Sequence, residues 1–177
     1  MAESPLSHTV LARDIGPGGR TEHVAADAEE RAALAGIFGI PEVRAVAAEF
    51  ELRPASGGAF RIRGVLDADV VQTCVVTLAP VEQHVHDEID VTLVPGETAG
   101  NGETVLIDPL AEDAPEIFHR GRIDLGAVVA EHLALALDPY PRAPGVEFEP
   151  HIEDEPADRV SPFAALQRLR QRDRDGQ

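Results

Sequence analysis

Two runs of alternating residues on either side of a glycine-rich turn constrain this chain more than any other feature. Val46, Ala48, Phe50 and Leu52 alternate with Ala47, Glu49, Glu51 and Arg53. Pro54-Ala55-Ser56-Gly57-Gly58 turns the chain, and Phe60, Ile62, Gly64, Leu66, Ala68 and Val70 then alternate with Arg61, Arg63, Asp67 and Asp69. Residues two apart share a face of a strand, so this pattern predicts a hairpin with one buried and one wet face. The second strand is expected to run on through Val71 to Leu78. Its Cys74-Val75-Val76 segment is apolar on both faces, as in a central strand. After Pro80, a third half-exposed strand sets Val81, Val85, Ile89, Val91 and Leu93 against Glu82, His84, His86, Glu88 and Asp90.

The rest of the chain adds helices. Residues Leu6 to Ile15 read as a first strand, stopped by Gly16-Pro17-Gly18-Gly19. Asp27 and Glu30 form a capping-box pattern ahead of Ala33, Leu34, Ile37 and Phe38, and Gly39 and Pro41 stop that helix. Residues Pro95 to Pro115 read as a long loop with one apolar island, Val105-Leu106-Ile107. Asp124 caps a second helix carrying Leu125, Val128, Val129, Leu133, Ala136 and Leu137, which ends at Asp138-Pro139. Residues 140–160 read as an extended linker, and Ser161-Pro162 opens a short terminal helix over 161–172 with Phe163, Leu166 and Leu169 on one side. The expected fold is α+β: an antiparallel, hairpin-rich sheet, open or barrel-like, with two or three helices packed on it. One domain spans 1–177, with an acidic, partly mobile tail. Apolar residues make up 44% of the chain, enough for a core. Aromatics are only 4%, so that core rests on Val, Leu, Ile and Ala.

Charge narrows the partners. Thirty-two acidic residues face 15 basic ones, all of them Arg, for a net charge of −17. Such a surface repels nucleic-acid phosphates and anionic membranes, and favours basic proteins. No run approaches the length of a membrane span. The start, Met1-Ala2-Glu3-Ser4-Pro5, has neither the basic nor the apolar region of a secretory signal, which points to the cytoplasm. One Cys excludes an intramolecular disulfide and any multi-cysteine zinc site.

Enzyme signatures are nearly absent. Without Lys there is no phosphate-binding loop of the Walker type, and no nucleophile elbow occurs. His84 and His86 share a strand face and are the weak metal-ligand candidates, giving the alternative of a metal- or small-ligand-binding protein; a solvated polar face is the simpler reading. Cys74, among apolar neighbours, reads as a small hydrophobe rather than a nucleophile. Glu131 and His132 are adjacent on the second helix and point apart, so packing is the expectation for His132. Glu112-Asp113 and Glu153-Asp154-Glu155 lie in loops without calcium-loop spacing. No catalytic residue and no cofactor is expected.

Three segments together resemble a known family. They are Val70-Val71-Gln72-Thr73-Cys74-Val75-Val76-Thr77-Leu78-Ala79-Pro80, then Ile123-Asp124-Leu125-Gly126 continuing through Val129-Ala130-Glu131-His132-Leu133-Ala134-Leu135-Ala136-Leu137-Asp138-Pro139-Tyr140-Pro141, and finally Ser161-Pro162-Phe163-Ala164-Ala165-Leu166. In this order and spacing they resemble the YceD family, the large ribosomal RNA subunit accumulation proteins, over about Leu6 to Leu169. The resemblance implies a role in the accumulation of large-subunit (23S) ribosomal RNA, in bacteria and plastids, with no assigned catalytic residues. Many members of the family carry Cys-x-x-Cys at the first segment and further cysteines after the second helix, a pattern that looks like a zinc site. Here Thr77 stands where the second Cys would be, and Pro141-Arg142-Ala143-Pro144-Gly145 has none. The zinc site therefore does not carry over.

Within that implied role, the charge favours a basic ribosomal protein or pre-large-subunit assembly factor as partner over naked rRNA. Arg53, Arg61 and Arg63 fall on the outward face of the hairpin, with Arg44 nearby. They are the candidate partner-binding residues, together with the tail arginines Arg168, Arg170, Arg172 and Arg174 as RNA-facing groups. The simpler reading is that they balance neighbouring acids.

Overall fold

The computed structural model describes residues 5–96 and 115–146. Among these, seven strands and two α-helices form an α+β architecture. In chain order they are β1 (Thr9–Leu11), β2 (Arg20–Ala25), α1 (Ala28–Phe38), β3 (Glu42–Pro54), β4 (Phe60–Thr73), β5 (Pro80–Pro95), β6 (Glu116–Phe118), β7 (Arg122–Asp124) and α2 (Leu125–Ala136).

The alternation in the sequence builds the main sheet, whose order is β2-β3-β4-β5-β6. The β3–β4 hairpin pairs Leu52 with Ile62, Phe50 with Gly64 and Ala48 with Leu66. Next to it β4 pairs Ile62 with Val91, Leu66 with Asp87 and Ala68 with Val85. The inward residues Val46, Phe50, Leu52, Ile62, Leu66, Val70, Val85, Ile89 and Leu93 are all buried. They form one core cluster with Leu34 of α1 and Leu125, Val128, Val129 and Leu133 of α2. Both helices therefore sit on the inward face. A glycine on that face is dictated by packing: a Cβ at Gly64 would lie 2.5 Å from Phe50 Cδ1 and 2.4 Å from the Glu49 carbonyl oxygen.

Helix α1 begins as expected, with both halves of the Asp27–Glu30 capping box made, and ends at Gly39 in the left-handed conformation. Helix α2 is anchored from outside. The Asp124 side chain accepts from the Ala127 N–H. The His8 carbonyl accepts from the N–H groups of Leu125 and Gly126, at 2.9 and 3.2 Å. These are donors that the first helical turn leaves without a partner. Ile123 of β7 pairs with Val10 of β1, which fixes the entering strand. Gly126 is required there, since a Cβ would sit 2.0 Å from the Leu6 carbonyl oxygen. The Ile-Asp-Leu-Gly motif is thus strand, cap, core residue and close approach in succession.

Several expectations are corrected. The first strand shrinks to Thr9–Leu11, followed by a 3-10 turn over Ala12–Asp14. A strand that the sequence did not signal, β2, precedes α1 and pairs with β3. Its Arg-Thr-Glu-His-Val-Ala run has too few apolar positions for a clear period. Ile37 of α1 is 64% exposed rather than packed, because the helix turns Leu34, Ala35 and Phe38 inward. Strand β4 stops at Thr73, and Val75–Thr77 form a turn instead of central strand. The sheet is not purely antiparallel, for β6 joins β5 in parallel. Among the described residues it also does not close into a barrel, since β2 and β6 end the strand order as edges. Expectations for the Val105 island, the remainder of the linker beyond residue 146 and the helix over 161–172 lie outside the described residues.

Candidate functional site

Two places concentrate polar chemistry: the outward face of the main sheet and the turn at Cys74. The register puts the outward side chains in rows across the strands. At the hairpin end Arg53 lies opposite Arg61. Glu51 faces Arg63, which faces Asp90. The middle row runs His23, Glu49, Val65, Glu88. Beyond it come Ala47, Asp67 and His86, then Ala45, Asp69 and His84.

The candidate arginines are committed to acids. Arg53 donates to Glu51 at 2.6 Å. Arg61 donates through Nε and Nη2 to both oxygens of Asp90, each at 2.8 Å, and Arg63 adds a third bond to the same carboxylate at 3.1 Å. Arg44 bridges Glu42 and Glu82 at 3.0 and 2.7 Å. The hydrogen bond from Arg53 holds Glu51 below the usual carboxylate range, and that from Arg61 does the same to Asp90. Each of these arginines is thus paired with a neighbouring acid.

His84 and His86 share the face, as the alternation predicts, and each ring is taken up by a carboxylate across the strand pair. His84 Nδ1 lies 2.9 Å from Asp69, and His86 Nδ1 lies 2.8 Å from Asp67. The hydrogen bond to Asp67 is the main cause that raises the His86 pKa, with the Asp67 charge second. Among the described residues no three His, Cys, Asp or Glu come together as a metal-ligand set. On α2, His132 is partly buried and bonds Asp87 of β5 at 2.8 Å, so it ties helix to sheet instead of only packing. Glu116 of β6 is half enclosed, and burial, then the nearby Glu131 charge, pushes its carboxyl upward.

Cys74 departs furthest from expectation. Its side chain is fully enclosed, but in a turn rather than a strand. The N–H groups of Thr77 and Ala143 donate to its sulfur at 3.4 and 3.3 Å. A second tie runs from the Val75 N–H to the Pro141 carbonyl at 2.9 Å. These donors stabilise a thiolate. The Thr77 side chain contributes most, followed by the Ala143 and Thr77 N–H groups, and together they draw the thiol from 9.0 down to about 6 against the opposing effect of enclosure. The Ala143 donor was invisible in the sequence because it is distant along the chain, and the Thr77 donors because they need a turn where the sequence suggested a strand. The two stretches where the resemblance places cysteines are thereby brought together. Their residues do not fit zinc: one sulfur faces N–H donors, with no second thiol or imidazole beside it among the described residues.

Glu112, Asp113, Glu153, Asp154, Glu155 and the tail arginines lie outside the described residues. No helix among the described residues is long and apolar enough to cross a membrane.

The family model described as large ribosomal RNA subunit accumulation protein YceD matches residues 62–170. The match takes in most of β4, the Cys74 turn, β5 and the Ile-Asp-Leu-Gly entry to α2. No curated protein and no solved structure matches the chain.

Proposed function

Because the chain belongs to the YceD family of large ribosomal RNA subunit accumulation proteins, we propose that it supports accumulation of large-subunit ribosomal RNA in the cytoplasm as a non-catalytic factor that holds a basic ribosomal protein or assembly factor. The role follows from the family. The partner class is supported above all by one observation: the sheet-face arginines Arg44, Arg53, Arg61 and Arg63 are engaged with carboxylates, on a chain with net charge −17. Direct rRNA binding depends on cations free to neutralise phosphates, and each of these would first have to leave a carboxylate. A basic protein meets no such cost and is steered by the same field.

The test is the ratio of large- to small-subunit rRNA in cells with and without the gene, with a plasmid copy as control. A fall that the plasmid restores supports the role, and an unchanged ratio refutes it. Purified protein that binds naked large-subunit rRNA at physiological salt and ignores basic ribosomal proteins would overturn the partner class.

A further inference from the structure

We propose that the outward face of the main sheet, which neither described helix covers, is the docking surface for a Lys/Arg-bearing protein segment, centred on Glu49 and Glu88. The inference rests on the partner class above and assigns it a place. Both helices lie on the inward face, so strands of 13, 14 and 16 residues in β3, β4 and β5 present a wide surface that neither helix covers. Toward both ends of that surface the acids have bonded partners. The arginines pair with Glu51, Asp90, Glu42 and Glu82, while the rings of His84 and His86 bond Asp69 and Asp67.

The middle row is different. Glu49 and Glu88 flank Val65 in register, and among the described residues neither makes a hydrogen bond or an ion pair. Two strand spacings put them about 10 Å apart. Val65 between them is 36% exposed, and Ala47 and Ala45 in the following rows are exposed as well. Two carboxylates without a hydrogen bond or ion pair among the described residues, set around small apolar side chains, complement a segment in which cationic residues flank an apolar one. Polyanions meet only repulsion there, which separates this occupant from RNA or a membrane.

The test uses the full chain and a short fluorescent peptide that alternates Arg with Val, followed by anisotropy at low and physiological salt. The double change Glu49→Gln with Glu88→Gln is expected to weaken binding about tenfold, the loss of two charge-assisted contacts. A control pair away from the sheet, Asp14→Asn with Glu29→Gln, should leave binding unchanged. Equal weakening by both pairs would reduce the effect to net charge and overturn the proposal, as would undetectable binding. Spermine displacing the peptide at equal concentration would remove the protein segment as occupant. In cells, the E49Q/E88Q chain should fail to restore the rRNA ratio. Full restoration by that chain would sink the docking face and leave the family role standing, whereas a ratio indifferent to deletion would sink the role itself.

Discussion

A single sulfur shows how one residue's chemistry depends on the neighbours, near and distant in sequence, that the fold turns toward it. Cys74 is enclosed, yet N–H groups from both sides make it an acceptor. Its folded pKa is depressed, so its contribution to stability is present above the unfolded value of 9.0 and is lost as pH falls through about 6. Thiolate ultraviolet absorbance of the native protein should titrate near that lower value, and a midpoint near 9.0 would contradict the role given to the N–H donors. Two glycines make an opposed pair. A Cβ at Gly126 collides with the Leu6 carbonyl, so Gly126→Ala should cost about 1–3 kcal/mol of unfolding free energy. Gly36, within α1, has open space around it, so Gly36→Ala should gain about 0.5–1 kcal/mol. Denaturant titration of both variants decides, and the same sign for the two would be wrong.

The β4–β5 pair carries the most titratable chemistry of any element. His86 gains Asp67 as partner, which raises its pKa above the ordinary 6.5. Its contribution to stability is therefore fully present below 6.5 and fades as pH rises through the higher folded value. The stability difference between the native chain and His86→Asn should shrink from acid to alkaline pH, and a difference that grows with pH would reverse the assignment. On the other side of the same sheet the consequences are larger. Phe50 is wholly buried against the core, and Phe50→Ala should cost about 3–5 kcal/mol. That strand was legible beforehand because its alternation is uninterrupted. The short strands β6 and β7 were not, since three residues are too few to establish a period, and β1 was placed correctly but read too long.

At the scale of the whole molecule the surplus of carboxylates sets behaviour. A net charge of −17 opposes compaction, so moderate salt should raise the thermal midpoint by screening that repulsion. A fall on adding salt would mean that the surface ion pairs outweigh it. The residues alone determined the inward and outward sides of the hairpin, the two helix starts at Asp27 and Asp124, and the kinship carried by the Ile-Asp-Leu-Gly entry and the Cys74 segment. Each rests on contacts between residues close in sequence or on strict alternation, which a linear pattern records. Tertiary structure decided that the Cys74 segment is a turn locked to Pro141 and Ala143. It also decided that the sheet-face arginines pair with acids, and that among the described residues Glu49 and Glu88 make no hydrogen bond or ion pair. Those outcomes depend on register and on segments far apart in the chain, and only the folded chain brings such groups within hydrogen-bonding distance.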